Sequence, residues 1–393
     1  MKKLIFSVIF VLAIVPLSAC GINSEGYQSE DEEIAEIANV SSRFTREQFL
    51  EDFDFFVEFL REHHPHLGVI NRRLGVDFMQ IAQELRPTLE DENFELNEEI
   101  FTQIMLDNFF MNPRLNGHTF AHAHFNLMSF TEEFDNSVDN IQTSIIEPGR
   151  IGYIKIHEFD FMGAERRETI FNFFKETVGF EHIIIDIRGN IGGQPHFFED
   201  AIIAPNITES FTQTFHAFST SSELSIEFLN VGHSVMSDPN MGYFMRFADS
   251  PVLEFSEMPE LPYLNEEDAA NFTYGFTFSR NLTPIVQDFP PFEGQIWLLI
   301  DGRVSSAANM FSSIAREMDF ATLVGEPTNG DSTFVIRPAG FSPRLPNTNI
   351  SFQFDTTYNT DALGRAIDEY VTQPHIFNND GMDALETVLS IIR

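Results

Sequence analysis

Two neighbouring serines in this 393-residue chain, Ser305 and Ser306, stand where chemistry on a substrate is possible. They lie in the stretch IDGRVSSAANMFSSIARE, which passes from an apolar, strand-like run into an amphipathic helical pattern. At such a corner the first helical N–H groups and the positive end of the helix dipole favour negative charge. A serine hydroxyl there can act as a nucleophile, and the N–H of Ala307 can stabilise an oxyanion. The alternative is a structural role, because serine is also a preferred N-cap residue.

A glycine-rich loop is the second feature with chemical potential. The segment DIRGNIGGQP follows a buried strand-like run, and its Gly189, Gly192 and Gly193 allow a tight turn whose amides can approach a ligand closely. We therefore expect Gly192 or Gly193 to supply a second oxyanion donor. The same glycines would also serve an ordinary strand-to-helix turn.

Histidines offer a general base. The stretch NPRLNGHTFAHAHF carries His118, His122 and His124, which share one face if the segment is extended. An imidazole within hydrogen-bond reach of Ser306 could take the serine proton and return it to the leaving amine. Three alternating histidines could instead bind a metal, but no carboxylate completes a zinc spacing, so we expect no metal and no cofactor. The other histidine cluster, HHPHLG, raises the same question for His63, His64 and His66 and is interpreted as structural.

The elements around these residues divide into a helical part and an α/β part. Apolar residues three and four positions apart predict amphipathic helices within residues 44–112. Residues 113–150 form a connection that carries the histidines. Strand-like runs alternate with helical patterns over residues 151–393, which predicts an α/β fold with a parallel or mixed sheet. Residues 205 to about 290 are rich in phenylalanine with weak periodicity, and we interpret them as an insertion that covers a cleft.

The first 20 residues have the layout of a secretory signal. Two lysines precede an apolar run, which ends in small residues before Cys20. The run is short for a membrane span, which needs roughly 20 apolar residues. LSAC resembles the lipobox of bacterial lipoproteins, in which the cysteine is lipidated and becomes the mature N-terminus. Because Cys20 is the only cysteine of the chain, a disulfide within one molecule is impossible. The alternative is an ordinary cleaved signal with an incidental cysteine.

Charge limits the partners of this protein. The formal net charge is -37, and such a surface repels nucleic acid, so no nucleic-acid partner is expected. Residues 21–43 are polar and acidic, as in a solvated tether between a lipid anchor and a folded body. We expect an extracytoplasmic lipoprotein on the membrane of a bacterial cell.

The order of IIIDIRGNIGG, WLLIDGRVSSAANMFSSI and ATLVGEPTNG closely resembles the catalytic domain of the C-terminal processing (tail-specific) serine peptidases. That family also contains the tricorn core peptidase and retinoid-binding repeats. The resemblance implies a crotonase-like (ClpP/crotonase-type) α/β/α core behind the helical domain. It also implies Ser306 as the nucleophile, with oxyanion donors at Ala307 and at Gly192 or Gly193.

The base distinguishes branches of that family. Bacterial processing peptidases use a lysine in the turn that corresponds to TNGDS, where this chain has Asp331; Lys155 and Lys175 do not match that motif. The segment NGHT resembles the DGHT segment of the tricorn-like branch, which implies His118 as the base. For the third member, alignment on Pro374 selects Asp368, with Glu369 adjacent.

Other positions depart from the family pattern. Asn116, Asn309 and His375 each replace an acidic residue of that pattern, so a charge that could support the site is missing. The sequence predicts a serine peptidase that cuts peptides or unfolded protein tails through an acyl-enzyme. The alternatives are a lipoprotein that binds peptides or apolar ligands without turnover, and an esterase that uses the same serine.

Overall fold

Helices begin the described part of the chain, and a sheet flanked by helices follows. A computed structural model describes residues 43–110, 120–121, 140–159, 163–237, 246–330, 343–355 and 357–393. Residues Arg43–Arg393 belong to one compact unit. The α-helices are α1 (Arg46–His63), α2 (Leu67–Leu74), α3 (Phe78–Glu90), α4 (Glu98–Met105), α5 (Ala164–Glu176), α6 (His196–Phe198), α7 (Glu223–Ser237), α8 (Glu266–Ala269), α9 (Ala307–Glu317) and α10 (Ala384–Ile392). The strands are β1 (Phe120–Ala121), β2 (Ile141–Glu147), β3 (Ile151–Ile156), β4 (His182–Asp186), β5 (Phe211–Thr220), β6 (Arg246–Ala248), β7 (Leu253–Glu254), β8 (Phe272–Leu282), β9 (Gln295–Ile300), β10 (Thr322–Gly325), β11 (Phe352–Gln353), β12 (Tyr358–Asp361) and β13 (Ile376–Phe377).

The N-terminal helices confirm the helical pattern predicted within residues 44–112. α1 begins at a capping box, in which Thr45 and Gln48 satisfy each other's backbone N–H groups. Its buried face repeats at helical spacing, with Phe49, Phe53 and Phe56 almost fully enclosed. These helices share their core with apolar residues from a late part of the chain, namely Leu345, Ile350, Phe352 and Phe354. The division of the chain into domains at 44–112 and 151–393 stays a prediction.

The larger sheet has the strand order β13-β10-β9-β4-β3-β2. All neighbours in it are parallel except β2, which runs antiparallel to β3. Ile183 and Ile185 face the core that contains α5 and α9, whereas Ile184 faces the core that contains α10. Helices therefore cover both faces, which explains why β4 and β9 read as continuous apolar runs. The mixed α/β architecture with an N-terminal helical region agrees with the sequence prediction.

Residues 205–290 are more regular than their sequence pattern indicates. Strands β5, β8 and β6 lie in an antiparallel sheet whose other edge is β12. Consecutive residues of β5 are buried because Phe215 and Ala217 pack into the main core while Phe218 packs into another cluster. A strand that is buried on both faces has no alternation of polar and apolar residues, so its period is not visible in the sequence.

Candidate active site

Ser306 occupies an unusual backbone conformation between β9 and α9. Its φ of 51° and ψ of -127° are sparsely populated by residues other than glycine. The Ser306 N–H donates to the carbonyl oxygen of Gly330 at 3.1 Å, which holds this turn against the next loop. Although Ser306 is the N-cap of α9, its side chain makes no capping hydrogen bond. The hydroxyl therefore does not have the structural capping role that the sequence left open.

The adjacent Ser305 has a different environment. It is buried, its hydroxyl donates to the carbonyl oxygen of Ile191 at 3.2 Å, and its N–H donates to the carbonyl oxygen of Asn190 at 3.2 Å. Ser306 is partly exposed to solvent. Ser305 thus joins the serine turn to the glycine loop, and Ser306 is the more solvent-accessible serine of the two.

The glycine loop packs directly against this turn. A Cβ atom on Gly192 would lie 2.6 Å from the Ser306 Cβ and 2.8 Å from the Ala307 nitrogen, so only glycine fits. The Gly192 N–H donates to the Asn190 side-chain oxygen at 2.8 Å and is therefore already engaged. Among the described residues, no acceptor takes the N–H of Gly193 or of Ala307. Of the two predicted glycines, Gly193 is the one whose amide has no acceptor among the described residues.

Asn190 organises this loop, a role that our sequence analysis missed. Its side chain is fully buried, accepts from Gly192 and donates to the carbonyl oxygen of Ile156 at 3.2 Å. One signal was available, because asparagine before a tight turn often bonds to the backbone N–H two residues later. The asparagine thus ties the loop to the end of β3 and leaves Gly193 exposed.

The two adjacent carboxylates near the C-terminus have opposite environments. Asp368 is buried at 2% exposure, and its Oδ2 lies 3.7 Å from Nδ1 of the equally buried His66. His66 is held by a 2.9 Å hydrogen bond between its Nε2 and the Thr357 carbonyl oxygen. Glu369 instead forms a two-pronged ion pair with Arg72, at 3.0 and 2.8 Å. The Asp368 side chain therefore points into the protein, whereas the Glu369 carboxylate is bound to Arg72 near the surface.

The comparison with protein families agrees with these features. A model of peptidase family S41 matches residues 150–376, which is more than half of the chain. The chain belongs to peptidase family S41. It is a serine peptidase, and the resemblance to the C-terminal processing peptidases is confirmed. No curated protein matches the chain.

Two solved structures show the fold shared by this S41 peptidase. One is a protein from Parabacteroides merdae ATCC 43184 named as a peptidase, with a TM-score of 0.54 and 16% identity over 87% of this chain and 95% of that chain. The other is mature CPAF complexed with lactacystin, with a TM-score of 0.53 and 14% identity over 84% of this chain and 94% of that chain. At such low identity the likeness concerns the fold.

The two lysines in the described part of this S41 peptidase, Lys155 and Lys175, form ion pairs. Lys155 donates to Asp186 at 3.0 Å and to the Arg188 carbonyl oxygen at 2.6 Å. Burial opposes ionisation of Asp186, but hydrogen bonds from Arg188 and the charge of Lys155 hold the pKa of Asp186 below its ordinary value. Lys175 pairs with Asp288 at 2.7 Å on the surface. That neither lysine is the base stays a prediction.

Two departures from the family pattern have structural partners. Asn309 is buried on α9, and its side-chain oxygen accepts from the hydroxyls of Thr328 at 2.6 Å and Thr372 at 2.9 Å. A neutral amide is therefore well satisfied there. His375 joins β10, since the N–H of Leu323 donates to its Nδ1 at 2.9 Å.

The HHPHLG histidines have structural contacts. His63 Nδ1 lies 2.8 Å from the Ser222 hydroxyl. Burial, together with the nearby His66, lowers the pKa of His64 to about 4 despite the opposing charge of Asp355. Within the described residues, no group of three His, Cys, Asp or Glu side chains could hold a metal ion.

Several predicted residues lie outside the described part of the chain. They are Cys20, Asn116, His118, His122, His124 and Asp331. The roles predicted for Cys20 and His118 stay predictions. No helix in the described ranges has the length and apolar character needed to cross a membrane.

Proposed function

We propose that this S41 peptidase is an extracytoplasmic, membrane-anchored enzyme that hydrolyses peptides or unfolded protein tails through an acyl-enzyme on Ser306. The observation that carries the proposal is the strained Ser306 turn with the exposed glycine loop packed against it. Nucleophilic serines of hydrolases occupy such sharp strand-to-helix turns, where the hydroxyl projects toward a substrate. Lipid attachment at Cys20 would hold the enzyme at the bacterial membrane.

In the proposed first step, the Ser306 hydroxyl oxygen attacks the carbonyl carbon of the scissile peptide bond. His118 takes the hydroxyl proton and then donates it to the leaving amine. Water, activated by the same imidazole, next attacks the ester and releases the acid product and the free serine. No step requires a metal or a cofactor.

The negative charge that develops on the carbonyl oxygen needs N–H donors. The amides of Ala307 and Gly193 are proposed for this role, because neither donates to an acceptor within the described residues. The positive end of α9 adds to their effect. In hydrolases, one such donor is worth about 3 to 4 kcal/mol of transition-state stabilisation.

Asp368 is proposed as the third member, which would orient His118 and stabilise its protonated form. Its burial supports this choice over Glu369, whose carboxylate is bound to Arg72. We also propose the crotonase-like α/β/α core, supported by helices on both faces of the larger sheet. Substrate selection would fall to the N-terminal helices and the insertion, through strand addition of an extended peptide.

The test uses protein that begins at residue 21 and compares wild type with Ser306→Ala and His118→Ala. New amino groups released from an unfolded protein and from a peptide library are measured. Ser305→Ala is the matched control, since it removes a neighbouring hydroxyl that bonds to Ile191 instead of facing substrate. We expect the first two variants to lose nearly all activity, whereas the control should keep activity well above theirs because its hydroxyl supports the loop without reacting.

Other outcomes point to the alternatives. Cleavage of esters but not of peptide amides would indicate an esterase that uses the same serine. Binding of peptides or apolar ligands without cleavage would indicate a protein that has lost turnover. Full activity in Ser306→Ala would show that the nucleophile lies elsewhere.

A further inference from the structure

Helix α2 lies against both chain segments that carry the candidate site. The first segment contains Asp368, and the second contains Asn329 and Gly330, which hold the Ser306 turn. Arg73, in the last turn of α2, reaches both segments with one side chain. These contacts join parts of the chain that are 295 and 256 residues from Arg73 in sequence.

The Arg73 guanidinium donates from its two terminal nitrogens to two backbone carbonyl oxygens. Nη1 donates to the Asp368 carbonyl oxygen at 3.0 Å, and Nη2 donates to the Asn329 carbonyl oxygen. A guanidinium is planar and rigid, so two acceptors bound to its two ends are held at a fixed separation.

The Asn329 segment is in turn bonded to the serine turn on both sides of Ser305. The Asn329 N–H donates to the Val304 carbonyl oxygen at 2.8 Å, and the Gly330 carbonyl oxygen accepts from the Ser306 N–H at 3.1 Å. Gly330 also packs closely against Arg73, because a Cβ atom on Gly330 would lie 3.3 Å from Arg73 Nη1. The backbone of Asn329 and Gly330 is therefore connected directly to that of the Ser306 turn.

The other end of α2 contacts the side chain of Asp368. His66 precedes the helix, faces the Asp368 carboxylate at 3.7 Å and stacks on Tyr358 with a ring separation of 5.5 Å. The helix thus touches Asp368 at its carboxylate through His66 and at its carbonyl through Arg73.

We propose that Arg73 is a positioning residue that sets the separation between Asp368 and the Ser306 turn. The inference rests on the proposed function, in which these two residues act together through His118. A misplacement of about 1 Å in such a constellation can cost roughly 100-fold in rate.

Arg72 provides a matched control on the same helix. Its guanidinium binds the carboxylates of Asp268 at 2.6 Å and Glu369 at 2.8 Å, which are two ion pairs outside the proposed site. Replacement of Arg72 by lysine also removes bidentate contacts of α2. An effect of Arg73→Lys on catalysis that is absent from Arg72→Lys therefore cannot come from a general loosening of the helix.

The experiment uses the full chain in detergent and measures kcat, KM and the unfolding midpoint of wild type, Arg73→Lys and Arg72→Lys. A lysine ammonium cannot span both carbonyl groups in a fixed geometry. We expect Arg73→Lys to lower kcat by at least about 10-fold with KM within about twofold of wild type. Arg72→Lys is expected to keep kcat within about twofold, whatever its unfolding midpoint.

A second variant keeps the test decisive if Arg73→Lys does not fold. In Arg73→Ala, millimolar guanidinium ion should restore part of kcat, whereas it should not change kcat of Arg72→Ala. Unchanged kcat in Arg73→Lys, equal losses in both lysine variants, or no rescue would overturn the proposal.

Ser306→Ala, measured alongside, separates this proposal from the proposed function. Activity that survives in Ser306→Ala refutes the nucleophile and the Arg73 proposal that rests on it. Activity that is lost in Ser306→Ala but unchanged in Arg73→Lys refutes only the role of Arg73.

Discussion

The backbone strain at Ser306 makes a prediction about stability that is independent of any substrate. A residue with a Cβ atom in a sparsely populated region with positive φ costs about 1 to 3 kcal/mol relative to an allowed conformation. Glycine adopts such a conformation without steric penalty. It also makes the unfolded chain more flexible, which lowers the free energy of unfolding by about 0.4 to 1 kcal/mol. Ser306→Gly should therefore be more stable than Ser306→Ala by about 0.5 to 2 kcal/mol.

The comparison of these two variants measures the free-energy cost of the backbone conformation alone, because both variants lack the hydroxyl and both should be inactive. Urea unfolding followed by circular dichroism measures the difference. For an m-value of about 3 kcal/mol/M, the midpoint of Ser306→Gly should lie about 0.2 to 0.7 M above that of Ser306→Ala.

Ser305 supplies the control, since it is not among the described non-glycine residues with positive φ. At Ser305 the order should reverse, with the glycine variant less stable than the alanine variant by about 0.5 to 1 kcal/mol. If Ser306→Ala is as stable as Ser306→Gly, the turn is not strained and the argument for a nucleophile from its geometry loses its basis.

Three further predictions concern the loop and a buried histidine. Gly192→Ala should abolish peptidase activity and lower the unfolding midpoint more than Gly189→Ala, because both have positive φ but only the first places a Cβ against backbone atoms of the serine turn. Asn190→Ala should lower kcat by at least about 10-fold, measured with a peptide substrate, whereas Asn190→Asp keeps the acceptor for the loop amide and should retain more activity. Because His64 has a folded pKa of about 4, below its ordinary value of 6.5, the unfolded chain takes up that proton first. The free energy of unfolding should therefore fall as the pH is lowered from about 6.5 to about 4, by up to about 3 kcal/mol. Urea unfolding at several pH values measures this fall, and His64→Gln should remove it. An equally steep dependence of stability on pH in His64→Gln would contradict the prediction.

Strong local patterns made several elements predictable. The spacing of phenylalanines and the Thr45 cap define α1, and continuous apolar runs define β4 and β9, because each signal arises within a few neighbouring residues. The antiparallel sheet of β5 and β8 was not predicted. Its strands are buried on both faces by distant segments, which removes the alternation that would identify them.

The order of motifs was sufficient to indicate the family, and the residue types limited the chemistry. The segments IIIDIRGNIGG, WLLIDGRVSSAANMFSSI and ATLVGEPTNG follow one another as in that family, and an acidic residue, Asp331, stands where the other branch has its lysine. Side-chain chemistry belongs to the residue itself, so a sequence reports it without knowledge of the fold.

Tertiary structure gave adjacent residues of similar chemistry different environments. Ser305 and Ser306 have the same chemistry, as do Asp368 and Glu369 with respect to charge. Their environments differ because the glycine loop engages Ser305, while Arg72 engages Glu369 from 297 residues away in sequence. The same is true of the Gly192 amide, which is engaged by Asn190. Position and exposure depend on contacts between distant segments, and those contacts exist only once the chain has folded.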